Sequence, residues 1–261
     1  MVKTKTKFKM KHFLLTLTLT LFIINPIFSQ DGGDFRVGLC TGLNYALPVG
    51  DDIEDWKDEL EDDVDYYDDY EGMDLEASLN PRIGLNFGVT MDYFIADNFA
   101  LSSGVSYSQK GFVTKSKVEA DYYYGGDVEI ERKGQFNLDY LDIPVALRFA
   151  SDDGFEIFGG LMLGMLISDN VNVSAEFDGD NNSYYNEDYW DDYGDEIEDW
   201  EDAFDEDPES MVNGFIFGLG YTIDEQFNIS LSGQQTGNFG ETAYGDDNQN
   251  LTIQLRVGFY F

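Results

Sequence analysis

Beyond residue 33, bulky apolar side chains return at every second position in eight separate segments. A spacing of two belongs to strands with one apolar face, since a helix would space them at three and four. The last segment is the clearest: Leu251, Ile253, Leu255, Val257, Phe259 and Phe261 alternate with Thr252, Gln254, Arg256 and Gly258. Tyr260 is the exception to the alternation. The other segments run about 34–46, 81–95, 98–111, 135–150, 154–168, 212–222 and 226–235. Apolar parity changes between Tyr140 and Leu141, which predicts a bulge in the fourth strand.

The connections alternate as well. Tight turns at 96–98, 151–154 and 224–226 are interleaved with long stretches at about 47–80, 112–134, 169–210 and 236–247. Short turns at one end, long loops at the other and an even strand number predict an all-β protein, an eight-stranded antiparallel up-and-down transmembrane β-barrel with long acidic extracellular loops. A soluble barrel of the lipocalin kind would invert this pattern and put the bulky residues inside. The other face here is Gly, Ser, Asn and charge, which suits a narrow interior better than a solvent surface. The aromatic residues near the strand ends suit a membrane girdle.

The N-terminus has the form of an export signal. Lys3, Lys5, Lys7, Lys9 and Lys11 precede an apolar run from Phe13 to Phe28, interrupted by threonines and Pro26. The run is short for a membrane span, and Ser29-Gln30 offers a small residue at the cut, so residues 1–29 are expected to be a cleaved signal peptide and 30–261 the barrel domain. The alternative is an uncleaved anchor helix. Of 15 Lys and Arg, five lie in that signal, while all 52 Asp and Glu lie beyond it, so the remainder would carry a net charge of −42. Nucleic acid is an unsuitable partner for such a chain. The one histidine, His12, also lies in the signal, which removes His-dependent catalysis and His-ligated metal from the mature chain. Cys40 stands alone, so no internal disulfide can form, and Val37-Gly38-Leu39 before it is no lipobox.

Two blocks add a resemblance. Tyr107-Ser-Gln-Lys-Gly111 and Leu138-Asp-Tyr-Leu-Asp-Ile-Pro-Val-Ala-Leu-Arg148 resemble the "YSQKG" and "YLxIP" blocks of the PorT-like outer-membrane β-barrel family of Bacteroidetes. The Gly159-Gly160 pair and terminal Phe261 fit the same pattern. The resemblance implies an eight-stranded barrel of the OmpX/OmpA type in the outer membrane. One branch of that family is tied to a protein-secretion system. The long acidic loops depart from the family's usual shorter ones.

Five charges fall on the inward face near the tight-turn end: Arg36, Asp92, Arg148, Glu156 and Arg256. They are expected to pair into a network that closes the lumen, since eight strands enclose just enough width for side chains. The alternative is a charged constriction in an open pore.

The acidic loops form the second candidate site. Residues 47–80 hold 15 Asp and Glu, and 169–210 hold 18. Each contains a helical stripe, Ile53, Trp56 and Leu60 in one and Ile197, Trp200 and Phe204 in the other. These two faces are expected to pack together above the barrel mouth; the alternative is a solvated charge run. Asp178, Asp180 and Asn182 begin like a calcium loop, but Ser183 and Tyr189 stand where its glycine and bidentate glutamate belong. What remains is diffuse, low-affinity binding of calcium or magnesium by clustered carboxylates, with no other cofactor. Tyrosines through the loops suit a protein or glycan partner.

The expected function is therefore a non-enzymatic outer-membrane protein with acidic loops that bind cations or a surface partner. A small passive channel and a secretion-system component are the alternatives. Expected partners are outer-membrane lipid and lipopolysaccharide, and the barrel-assembly machinery through the strand ending at Phe261.

Overall fold

The computed structural model describes residues 33–51, 53–55, 57–58, 64, 73–122, 126–179, 210–237 and 249–261. Eight antiparallel strands close into a barrel in chain order. They are β1 (Phe35–Val49), β2 (Met73–Ala96), β3 (Phe99–Tyr122), β4 (Gly126–Ala150), β5 (Phe155–Gly179), β6 (Met211–Ile223), β7 (Phe227–Thr236) and β8 (Gln249–Tyr260). Closure comes from β8, which pairs with both β7 and β1, from Gly38 opposite Tyr260 to Val49 opposite Gln249.

Through the barrel wall, even-numbered residues point inward. On β6, Val212 to Thr222 are buried at even positions, while Met211, Phe215, Phe217, Leu219, Tyr221 and Ile223 are exposed at odd ones. The same holds for the exposed residues Leu39, Leu43, Ile83, Leu85, Phe87, Ile229, Leu231, Leu255 and Val257. Exposed apolar residues in water would be an aggregation surface; in hydrocarbon they are solvated. The band spans about ten residues per strand, or about 25 Å at the usual tilt of such barrels.

Two features of the strands differ from the sequence-based expectation. First, β2 to β5 run far past the band. Positions 112–122 and 126–134 form not a loop but a continued β3–β4 ladder, paired from Phe112 opposite Phe136 to Tyr122 opposite Gly126. Likewise β2 starts at Met73 and β5 reaches Gly179, which shortens the connections expected at 47–80 and 169–210. The charged residues in these stretches sit on an exposed sheet face, so their polarity alone imitates a loop. Lys115, Lys133 and Glu131 are examples.

Second, β4 does not change parity. Phe136, Leu138 and Tyr140 point inward in step with Asp142, Ala146 and Arg148. The apolar pattern shifts because the interior itself turns apolar at this height. The bulge lies across the ladder instead: Asp139 pairs with Ser168 and Tyr140 with Leu166, which leaves Ile167 as the extra residue on β5.

The β6–β7 turn places Asp224 and Glu225 at φ of 50° and 60°. The Gln226 amide donates to the Ile223 carbonyl across it at 3.1 Å. Two consecutive left-handed residues match the twist of a tight hairpin, but a glutamate there has a Cβ penalty that glycine lacks. Glu225→Gly is therefore expected to stabilise the barrel by about 1 kcal/mol, read as a higher urea midpoint for unfolding from lipid vesicles.

Candidate functional site: a layered lumen and a projecting sheet

The interior is filled in layers. At the tight-turn end, Arg36 donates to Asp92 at 2.8 Å and to Glu156 at 3.3 Å. Arg148 pairs with Asp92 at 3.4 Å and with Glu156 through Nη1. Two cations and two anions thus alternate around a closed, neutral square. Each carboxylate has further donors: Ser102 Oγ to Asp92, and Thr222 Oγ1 and Asn228 Nδ2 to Glu156 at 2.8 and 3.0 Å. Arg148 Nε donates to Ser102 Oγ at 2.8 Å. The guanidinium of Arg36 lies 3.8 Å from the centre of the Tyr260 ring, and that of Arg148 lies 5.0 Å from the Phe158 ring.

This layer draws one side chain from every strand: Arg36, Asp92, Ser102, Arg148, Glu156, Thr222, Asn228 and Tyr260, in order from β1 to β8. Buried charges are tolerated only with such full pairing. Tyr260, which breaks the apolar alternation of β8, is inward and buried. A Cβ on Gly38 would come within 2.7 Å of the Tyr260 ring, so the glycine leaves that ring room to lie across the closing seam. Arg256 stands apart from the square. It sits opposite Gly42 and Ser230, deeper in the barrel, and makes no ion pair among the described residues.

Higher in the lumen, the blocks Tyr107–Gly111 and Leu138–Arg148 lie side by side. A register shift in β2 between Pro81 and Asn86 frees backbone groups, since Pro81 has no N–H to donate. Side chains satisfy what is freed. Gln109 Oε1 accepts from the Leu85 amide at 3.1 Å, Asn44 Nδ2 donates to the Gln109 carbonyl at 2.9 Å, and Arg82 donates to the Lys110 carbonyl. Tyr107 donates its hydroxyl proton to Asp139 at 2.6 Å. Gly111 takes φ of 120°, and a Cβ there would meet the Phe136 carbonyl at 2.0 Å. The two blocks therefore hold the level at which four strands continue past the barrel wall.

Lys110 and Asp142 make a second buried ion pair at 2.9 Å, with the ammonium 5.1 Å from the centre of the Tyr140 ring. Above it Phe112, Phe136, Leu138, Tyr140 and Val212 form an apolar cluster within the lumen, flanked by Leu79, Leu166 and Val171. Phe112 and Phe136 stack at 4.3 Å.

The projecting sheet consists of β2 from Met73 to Pro81, β3 to Tyr122, β4 from Gly126 and β5 to Gly179. Its outer edges, on β2 and β5, have no strand partner among the described residues, because β1 pairs only up to Arg82 of β2 and β6 only up to Met165 of β5. On its outward face Lys117 contacts Glu119, and Glu129 at 3.1 Å. Hydrogen bonds donated to those carboxylates raise the Lys117 ammonium above its ordinary range.

Residues 51, 53–55, 57, 58 and 64 are helical, the Glu54 amide donates to the Gly50 carbonyl at 3.1 Å, and Ile53 is buried. Trp56, Leu60, Ile197, Trp200, Phe204, Asp180, Asn182 and the signal segment 1–29 lie outside the described residues, as does the side chain of Asp178, whose backbone belongs to β5. Among the described residues, no three His, Cys, Asp or Glu side chains converge as a metal site would.

The Lys110–Asp142 pair generates a prediction. Lys110→Met alone strands a buried carboxylate and is expected to cost about 3–5 kcal/mol, whereas Lys110→Met with Asp142→Leu should recover most of that loss. Urea unfolding in lipid vesicles measures both.

Solved structures similar to the chain include the attachment invasion locus protein of Yersinia pestis (Ail), at 11% identity and a TM-score of 0.38, over 88% of this chain and 99% of that one. Neisserial surface protein A is similar at 11% identity and 0.37, over 86% and 97%. OprG of Pseudomonas aeruginosa is similar at 10% and 0.32, over 89% and 98%. No curated protein matches. The family model described as "Outer membrane protein beta-barrel domain" matches residues 28–235. The chain belongs to that family, and it is an outer-membrane β-barrel protein.

Proposed function

We propose that this protein is a non-enzymatic barrel whose lumen is closed and whose working surface is extracellular, where its acidic connections bind divalent cations or a surface partner. The observation that supports a closed lumen is the square of Arg36, Asp92, Arg148 and Glu156, stacked below the Lys110–Asp142 pair and the Phe112–Phe136 cluster. Three successive layers of side chains in so narrow a barrel argue against a continuous aqueous path. That favours the closed reading over the small channel.

An outward role is supported by the four strands that continue past the apolar band. They add about ten residues each, or roughly 25 Å of sheet beyond the hydrocarbon at the usual tilt. Their two edges, which have no strand partner among the described residues, and their charged outer face are the kind of surface a protein or glycan partner can pair with. The 15 and 18 acids of the connections at 47–80 and 169–210 repel one another unless cations intervene. Bridging calcium or magnesium would also tie them to lipopolysaccharide phosphates. Asp178, Asp180 and Asn182 contribute to such diffuse binding, and the stripes of Ile53, Trp56, Leu60 and Ile197, Trp200, Phe204 pack against each other when the charge is neutralised.

The blocks at Tyr107–Gly111 and Leu138–Arg148 support placement in the PorT-like outer-membrane barrel family, and the signal at 1–29 and the closing strand ending at Phe261 support export and delivery through the barrel-assembly machinery. Membership of a secretion system is the second reading, and a deletion strain with normal secretion would remove it.

Two measurements test the proposal. Planar-bilayer recordings of the refolded chain should show no discrete conductance, and steady single-channel steps would overturn the closed lumen. Circular dichroism should gain helix as millimolar calcium is added, and a flat response would remove the cation role.

A further inference from the structure

Between the charge square and the upper lumen lies a cavity of about 30 Å³. Room of this size suits one or two water-sized species. Two of its lining residues carry guanidinium groups, Arg148 and Arg256, and five more carry hydroxyl or thiol groups, namely Cys40, Thr90, Ser102, Ser106 and Ser103, the last donating to the Pro144 carbonyl. Ala146, Phe158 and Ile216 form its apolar wall, and no carboxylate lines it.

The charge balance of the lumen sharpens this. Arg36 and Arg148 are matched by Asp92 and Glu156, and Lys110 by Asp142. Arg256 is the inward cation left over, and it makes no ion pair among the described residues. An arginine stays protonated under all ordinary conditions, so it cannot shed its charge to suit the lumen. A partly buried guanidinium with no counter-charge is costly within a low-dielectric wall.

The lumen wall beside Arg256 is polar, with Ser230 directly opposite it on β7. Ser230, Ser232, Gln234 and Thr236 on β7 face Asn250, Thr252 and Gln254 on β8, all inward and buried. Ser232 Oγ, Gln234 Oε1 and Asn250 Nδ2 lack a protein hydrogen-bond partner. Buried polar atoms of this kind are met by water.

We propose that the cavity beside Arg256 binds one small monovalent inorganic anion of the halide class, which completes the charge balance of the lumen. The guanidinium of Arg256 supplies the charge, and the hydroxyls of Thr90 and Ser106 supply donors. Larger oxyanions and organic carboxylates are excluded by the cavity's size. The site is independent of whatever the extracellular connections bind.

The test uses the full chain refolded in detergent, with sodium chloride and sodium bromide compared with sodium gluconate at equal ionic strength. The thermal midpoint of the wild type should rise by about 5 °C in either halide at saturation. Arg256→Gln should show no difference between halide and gluconate, and Arg256→Lys should keep part of the response. Crystals grown in bromide should show an anomalous peak beside Arg256. An equal halide response in the wild type and Arg256→Gln would overturn the proposal. So would a wild-type crystal without bromide in the cavity, a measurement that holds even if the variants fail to fold. A bromide peak with no halide effect on the midpoint would mean an adventitious ion only and would count equally against it.

Discussion

In hydrocarbon, a backbone N–H or C=O without a partner has no water to turn to, so a sheet that crosses a bilayer must have no free edge. The ladder between β1 and β8 meets that demand here, from Gly38 opposite Tyr260 to Val49 opposite Gln249. Once the cylinder is closed, the rest follows in order. Odd-numbered side chains meet lipid and must be apolar. Even-numbered ones meet one another and must fill a narrow space without leaving a charge alone. Above the hydrocarbon the demand lapses, and there β2 and β5 run on with no strand partner for their outer edges among the described residues.

The interior solves its packing problem by height. Its lowest layer is polar and neutral, with one residue from each strand, and the glycine at position 38 admits the Tyr260 ring beside the Arg36 guanidinium. Further up, a lysine–aspartate pair sits under stacked phenylalanines. The register shift opposite Gln109 would leave backbone groups bare at the rim, and Gln109, Asn44 and Arg82 occupy them. The conspicuous sequence blocks at 107–111 and 138–148 are thus explained by hydrogen bonding and charge pairing at one level of the wall, which is architecture rather than a ligand site.

The strand number, the side of each strand that meets lipid and the four charges of the square were legible in the sequence, because period two and the parity of Arg36, Asp92, Arg148 and Glu156 follow directly from strand geometry. Four things were not. Tyr260 reads as a break in the pattern, since parity alone does not say that an aromatic residue can belong inside beside a cation. Phe136, Leu138 and Tyr140 read as lipid-facing, because an apolar patch within a polar lumen has the same composition as a patch facing lipid. Residues 112–134 read as a loop, because a sheet face in water is as polar as a loop. Arg256 was placed on the correct face but at the wrong height. Height depends on strand stagger, which one sequence does not encode in any single residue.

The alternation of environment along β7 tests the account at its root. Single spin labels placed at positions 228 to 232, in a Cys40→Ser background and reconstituted in vesicles, report on contact with lipid-soluble oxygen. Labels at 229 and 231 are expected to collide freely with oxygen, and those at 228, 230 and 232 to be shielded from it. The opposite phase, or no alternation at all, would contradict a cylinder whose greasy side faces the bilayer.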